Sequence, residues 1–219
     1  MKLKKLISAN IVIVAKNLNP SIFSQLWLVE EGIVGKGEFG DNCVFTPLFT
    51  QIFTPTFQLH VLPERLQIVL IDKSLEEPTP IMEKISMLVQ KLPHTPYIAI
   101  GANFLWFVAP DEPADPVEFM RKLFMRPEIP LYNRFSSEDA RFGAYMSRNV
   151  FGVRLQLDIK PHREEKSGSV EEYLRFNFNY HLDLAHGDQV TQILGFLDNW
   201  SKMKQEADET ASDALITTM

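Results

Sequence analysis

Cysteine is almost missing from this chain. Cys43 is the lone thiol in 219 residues, which excludes an internal disulfide framework and a multi-cysteine zinc site. A single thiol suits a reducing compartment, so a cytoplasmic location is expected, and Cys43 itself reads as a small buried hydrophobe. Long apolar runs are missing too. No stretch approaches the roughly 20 residues that span a bilayer, so no membrane partner is expected. The opening MKLKKLISANIVIVAKN places lysines ahead of an apolar run, as a secretion signal does. Ser8 and Asn10 break that run, however, and no small-x-small cleavage site follows. Its β-branched residues Ile11, Val12, Ile13 and Val14 suit a strand.

Excess basic charge is also lacking. Twenty-two Lys and Arg stand against 28 Asp and Glu, a net charge of -6. A wide basic surface for duplex DNA or an anionic membrane is therefore not expected. The glycines of GKGEFGDN, at 35, 37 and 40, are not followed by a Lys-Ser/Thr pair, so they read as a turn and not as a phosphate cradle. There is no G-x-S-x-G, and Cys43 has no flanking nucleophile signature. The paired carboxylates Glu30/Glu31, Glu76/Glu77 and Glu164/Glu165 read as solvated charge. No cofactor and no catalytic residue is predicted.

What the chain does have is apolar content, 45% with 16 Phe, ample for a sizeable core. Residues 6 to 16 read as a strand. Asn19 and Pro20 then open a helix with Ile22, Phe23, Leu26 and Val29 or Trp27 as its stripe and Gly32 as its stop. FTPLFTQIFTPTFQLHVLPERLQIVLID holds a hairpin, in which Phe57, Leu59 and Val61 alternate with Gln58 and His60 before Leu66, Ile68 and Leu70 follow. Pro47 and Pro55 confine the preceding segment to an edge strand or an extended arm. Residues 79 to 92 are a helix, and 97 to 108 a central strand, oily on both faces. Asp115 and Pro116 open another helix, stopped by Pro127. Strands at 142–148, 153–160 and 173–184 follow, the last two linked by a loop PHREEKSGSV. Asp188 begins one long C-terminal helix with Val190, Ile193, Leu194, Leu197 and Met203 on one stripe.

This order predicts an α+β fold in one domain, with residues 128–140 as the candidate point of subdivision: a mostly antiparallel sheet with helices on one face. Its N-terminal part reads as ferredoxin-like βαββαβ, extended by further strands and the long C-terminal helix.

YLRFNFNYHLDLAH, residues 173 to 186, alternates strictly, so Leu174, Phe176, Phe178, Tyr180, Leu182 and Leu184 share one face. Arg175, Asn177, Asn179, His181 and Asp183 share the other. If this strand pairs with 153–160, then Arg154 and Lys160 join Arg175, Asn177, Asn179 and His181 on one polar surface. That surface is a candidate partner or ligand site, weighed against the wetted side of a sheet with cross-strand pairs. The aromatics fall on the opposite side, which counts against base stacking and makes nucleic acid an unexpected partner. His181, Asp183 and His186 form a dense ligand-type cluster, read as a polar row running into a helix cap and not as a metal site. Phe45, Phe49, Phe53 and Phe57 recur every four residues. On a strand they share a face, either as core or as an interface carried by Phe49, Phe53 and Phe57.

Two stretches resemble a sporadically distributed prokaryotic family of α+β proteins. One is FTPTFQLHVLPERLQIVL with the following helix and YIAIGANFLWFV; the other is the terminal LDLAHGDQVTQILGFLDNWSKMKQEADETASDALITTM. The resemblance covers roughly half the chain and implies the same fold class, with no known activity and no catalytic residues to carry over. GANFLWF stands where the family's central strand has an Arg-Tyr-x-Asn-like feature.

The expected function is non-catalytic: an interaction or assembly protein that self-associates or binds a protein partner. A small-molecule-binding protein or an enzyme, with a site between sheet and helices using His60, Arg175 and His181, is the alternative. Single-stranded nucleic-acid binding is the third.

Overall fold

A computed structural model describes residues 3–71, 79–109, 115–126, 129–135, 137, 139–166, 169–185 and 187–216. The chain runs β1 (Leu3–Ala15), a 3-10 turn (Pro20–Ile22), α1 (Gln25–Glu30), β2 (Val44–Phe45), β3 (Thr50–Phe53), β4 (Phe57–Leu62) and β5 (Arg65–Leu70). It continues through α2 (Thr79–Lys91), β6 (Tyr97–Ala109), α3 (Pro116–Phe124) and α4 (Pro130–Asn133). It ends with β7 (Ala144–Val150), β8 (Val153–Lys166), β9 (Ser169–Asp183), α5 (Gln189–Leu197) and α6 (Trp200–Ile216). Among the described residues, nine strands join one antiparallel sheet in the order β2-β3-β4-β5-β1-β6-β9-β8-β7. The fold is therefore α+β, with the strands of both halves of the chain in one large antiparallel sheet.

Alternation decides which side of the sheet becomes core. Ile11 and Ile13 of β1, Leu59 and Val61 of β4, and Leu66 and Ile68 of β5 are buried. So are Phe104 of β6, Leu157 of β8 and Phe176, Phe178 and Tyr180 of β9, all on the same side by strand register. Helices cover that side. Ile81, Ile85 and Leu88 of α2 face Phe57, Leu59 and Ile68 across a gap of only about 10 Å³. The Trp200 ring of α6 lies 4.7 Å from that of Phe104, and the Tyr180 hydroxyl donates to the Met203 carbonyl at 3.0 Å. Lys4 Nζ reaches from β1 to Asp208 Oδ2 at 2.8 Å and Ser212 Oγ at 2.7 Å, with the Trp106 ring beneath it.

Five expectations are corrected. The helix after Pro20 is two pieces, because two caps restart it: Asn19 accepts from the Ser21 N–H, and then Ser24 accepts from the Trp27 N–H. The restart rotates Leu28 inward and leaves Leu26 67% exposed; Gly32, at φ 69, ends the segment. The phenylalanines at 49, 53 and 57 do not share a face. Turns at 46–49 and 54–57, each closed by a threonine hydroxyl, reset the alternation between β2, β3 and β4. Phe57 is core, Phe53 faces the opposite side against His60, and Phe49 sits exposed in a turn.

The described residues of PHREEKSGSV are strand, not loop. β8 and β9 stay in register out to Lys166 and Ser169, beyond the last β9 pairing with β6 at Leu174. A ribbon without a sheet beside it has little apolar surface to bury, so its strands carry charge and lack the apolar alternation of a core strand. The C-terminal helix breaks at Asp198–Asn199 into α5 and α6. α6 docks through Trp200, Met203, Ala207, Ala211 and Leu215, all buried at helical spacing. Its apolar stripe is thus spent inside the chain's own core. Finally, β6 is central, as expected, but its second face is not under a helix layer. Asn103, Leu105 and Phe107 are half-buried there by their neighbours on adjacent strands. Pro127 and Glu76/Glu77 lie outside the described residues.

Candidate functional site

The side of the sheet away from the core carries the predicted polar row, and register shows what each residue meets. Arg154 lies opposite His181, Gln156 opposite Asn179, Asp158 opposite Asn177 and Lys160 opposite Arg175. On the other flank of β9, Asn179 faces Asn103, Asn177 faces Leu105 and Arg175 faces Phe107. Asn103 in turn faces Asn10 of β1.

The centre of this face is an amide ladder. Asn179 Nδ2 donates to Asn103 Oδ1 at 2.6 Å, and Asn103 Nδ2 donates to Asn10 Oδ1 at 2.9 Å. The donors all run one way, from β9 towards β1. Asn10 Nδ2 and Asn179 Oδ1 are left without a partner among the described residues, one a donor and one an acceptor. Gly101 borders the ladder: a Cβ there would stand 3.3 Å from the Tyr180 carbonyl and 3.9 Å from Asn179 Nδ2. Sequence reading found Asn177 and Asn179 but missed Asn10 and Asn103. The signal available was a lone amide inside each of two apolar strands.

Other predicted residues have their own local partners. His181 Nε2 and Asp183 Oδ1 are 2.9 Å apart, two steps along one strand face. Lys160 pairs with Asp158 at 2.7 Å. The Arg154 guanidinium is held by Ser147 Oγ and by Asn149 Oδ1 of the edge strand β7. Arg175 has no ion-pair partner among the described residues and borders a stack of Phe107 on Tyr173, ring centroids 3.8 Å apart, with His162 beside them. Tyr173 reaches this face because β9 begins earlier than its apolar alternation suggests. Among the described residues, no group of three His, Cys, Asp or Glu is arranged to hold a metal; His186 lies outside them.

His60, Arg175 and His181 do not line a pocket between sheet and helices; all three are on the open face. Register places β5, β1 and β6 between His60 and His181, roughly 19 Å at about 4.8 Å per strand. Partial burial and the nearby Arg65 charge hold the His60 imidazole below its ordinary pKa of 6.5. The unfolded chain then binds more protons than the folded one below pH 6.5, so this contribution is intact above 6.5 and shrinks as pH falls through it. Urea midpoints at pH 7.5 and pH 5 are expected to differ less in His60→Gln than in the parent. An unchanged difference would mean that His60 titrates as it does in the unfolded chain.

The two sheet edges differ. β2 is two residues long, and Pro47 follows it within the turn. β7 is seven residues long, without proline, and shows Tyr145 64% and Met146 43% exposed. The turn from β7 to β8 is Phe151–Gly152, with φ of 51 and 77. Phe in that left-handed conformation costs about 1–3 kcal/mol, yet the ring stands at the tip, 38% exposed. Comparison of the chain with protein-family models returns no match, and comparison with curated proteins returns none either.

Proposed function

We propose that this chain is a non-catalytic interaction protein that assembles with a second copy of itself, working in the cytoplasm, where a lone thiol stays reduced. One observation carries it: β7 is a full-length edge strand with solvent-facing apolar residues, while the opposite edge is blunted. Unpaired strand edges are templates for pairing with another chain, and natural sheets that do not use them shorten or charge them. The open polar face, with its amide ladder, lies beside that edge. The neighbour order β4-β5-β1-β6, all antiparallel, supports a ferredoxin-like N-terminal part into which β2 and β3 are inserted. The resemblance to the sporadically distributed prokaryotic family belongs to the same reading.

A small ligand between α2 and α6 is the second reading. It is favoured by a groove of about 590 Å³ lined by Met82, Met87, Leu197 and Trp200, where the buried Trp200 Nε1–H has no acceptor among the described residues. Mass spectrometry of the native protein separates the two. Self-assembly predicts a multiple of 25.2 kDa with no added mass per chain. A monomer carrying a small additional mass would favour the ligand, and a bare monomer at every concentration would sink the assembly reading.

A further inference from the structure

We infer that β7 is the seam of a twofold homodimer, pairing antiparallel with β7 of a second copy so that Ser147 lies opposite the partner's Ser147. This rests on the self-assembly reading and deepens it by naming the surface and the register.

The register follows from the turn. Phe151–Gly152 is a two-residue connection with positive φ at both positions, so the flanking Val150 and Val153 bond to each other. Antiparallel pairing alternates from there: Val150, Arg148, Met146 and Ala144 bond towards β8. Tyr145, Ser147 and Asn149 therefore direct their N–H and C=O groups away from the sheet. Among the described residues, no other backbone group meets them. These three residues are centred on Ser147. A copy related by a twofold axis through Ser147 sets Tyr145 against the partner's Asn149 and satisfies every outward group on both strands.

The side chains fit the same axis. On the core side, Arg148 falls opposite the partner's Met146, whose exposed thioether it covers. Its charge is already held by Glu206 of its own protomer, and no like charge is set directly against it. On the open side, the Tyr145 ring comes beside the partner's Asn149 and Arg154, a guanidinium lying over the edge and ready for an aromatic face. At each end, the Phe151 tip arrives opposite the partner's Gly143, next to the partner's Phe142. Within each protomer, Phe142 is ringed by Tyr132 and Phe135 at 6.4 and 6.3 Å, with Phe135 48% and Leu131 58% exposed. A seven-residue strand pair alone is small against the roughly 800 Å² per partner of a stable interface; the two aromatic tips on these patches enlarge it. They also give the strained Phe151 a role. A foreign strand would satisfy the backbone, but it would not repeat the Tyr145–Arg154 match and the tip contact at both ends. A second copy is thus the occupant.

Sedimentation of the full chain tests this. The parent is expected at twice 25.2 kDa. Ser147→Pro removes an N–H that points away from β8, so the fold persists by circular dichroism while Kd for the dimer rises at least about a hundredfold. Ser147→Cys in a Cys43→Ser background reads the register without weakening the strand. Residues opposed in a hydrogen-bonded pair lie about 5.5 Å apart at Cα, within disulfide reach. Mild oxidation is expected to give a covalent dimer, whereas Asn149→Cys in the same background gives none. A parent that is monomeric at every concentration overturns both the seam and the self-assembly reading. A parent dimer that survives Ser147→Pro and does not cross-link at Ser147→Cys overturns the seam alone.

Discussion

Phe104→Ala is expected to lower stability by about 3–5 kcal/mol, the cost of deleting a fully buried aromatic and leaving its cavity. With an m-value of about 2 kcal/mol/M in urea, the unfolding midpoint drops by roughly 2 M. The size of the effect comes from position. Phe104 is wholly buried in a central strand, its ring edge-on to Tyr180 at 5.9 Å and tilted against Trp200 at 4.7 Å. It therefore joins β6, β9 and α6 at one point. Against a total stability of about 5–15 kcal/mol, this is a large share. Tyr180→Phe makes the internal control: it keeps the ring and loses only the bond to the Met203 carbonyl, at about 1 kcal/mol. If Phe104→Ala costs no more than Tyr180→Phe, the helices do not press on this face as described.

The second large effect is expected at the amide ladder. Asn103→Ala removes the middle rung, so Asn10 Oδ1 loses its donor and Asn179 Nδ2 its acceptor. Both amides are half-buried, and water recovers part of the loss, leaving a cost of about 1–2 kcal/mol. Asn179→Ala, at the end of the ladder, costs less. The two substitutions together are expected to fall short of their sum by about 0.5–1 kcal/mol, because the same bond is counted in each single variant. Denaturant melts of the four proteins supply the cycle. Strict additivity would show the rungs to be independent surface amides, not a coupled unit.

Position explains why Asn179 of that ladder was legible, with its strand neighbour Asn177, while Asn10 and Asn103 were not. Asn177 and Asn179 were visible because β9 alternates without a break, and a strand's two faces follow from its own residues. Asn10 and Asn103 looked like interruptions in apolar strands. Their meaning depends on β1 lying beside β6 and β6 beside β9, which no residue in those strands specifies by itself. The hairpin of β8 and β9 shows the same limit from the other side. Its outer half carries charge without an apolar face, so local pattern suggested a loop. The C-terminal segment failed differently: helical spacing carries through Asp198 and Asn199, and the break is visible only in the backbone.

Phe45, Phe49, Phe53 and Phe57 make the sharpest case. Their even spacing is real, but two tight turns divide them among separate strands, so one becomes core, one meets His60 and the others face solvent at the blunt edge. The interface proposed above lies instead at β7, whose Tyr145 and Met146 gave no signal because exposure at an edge is a property of strand order.

Composition and local alternation by themselves determined that this chain builds an antiparallel sheet with helices, which side of β4, β5, β8 and β9 is apolar, and where Asn19, Asp115 and Asp188 cap. Those features depend on neighbours a few residues apart, within reach of short-range sterics and capping bonds. Only the tertiary structure decided which strands are edges, which amides meet and which helical stripe is already occupied, because each depends on residues far apart in the chain being brought together by the burial of one shared core.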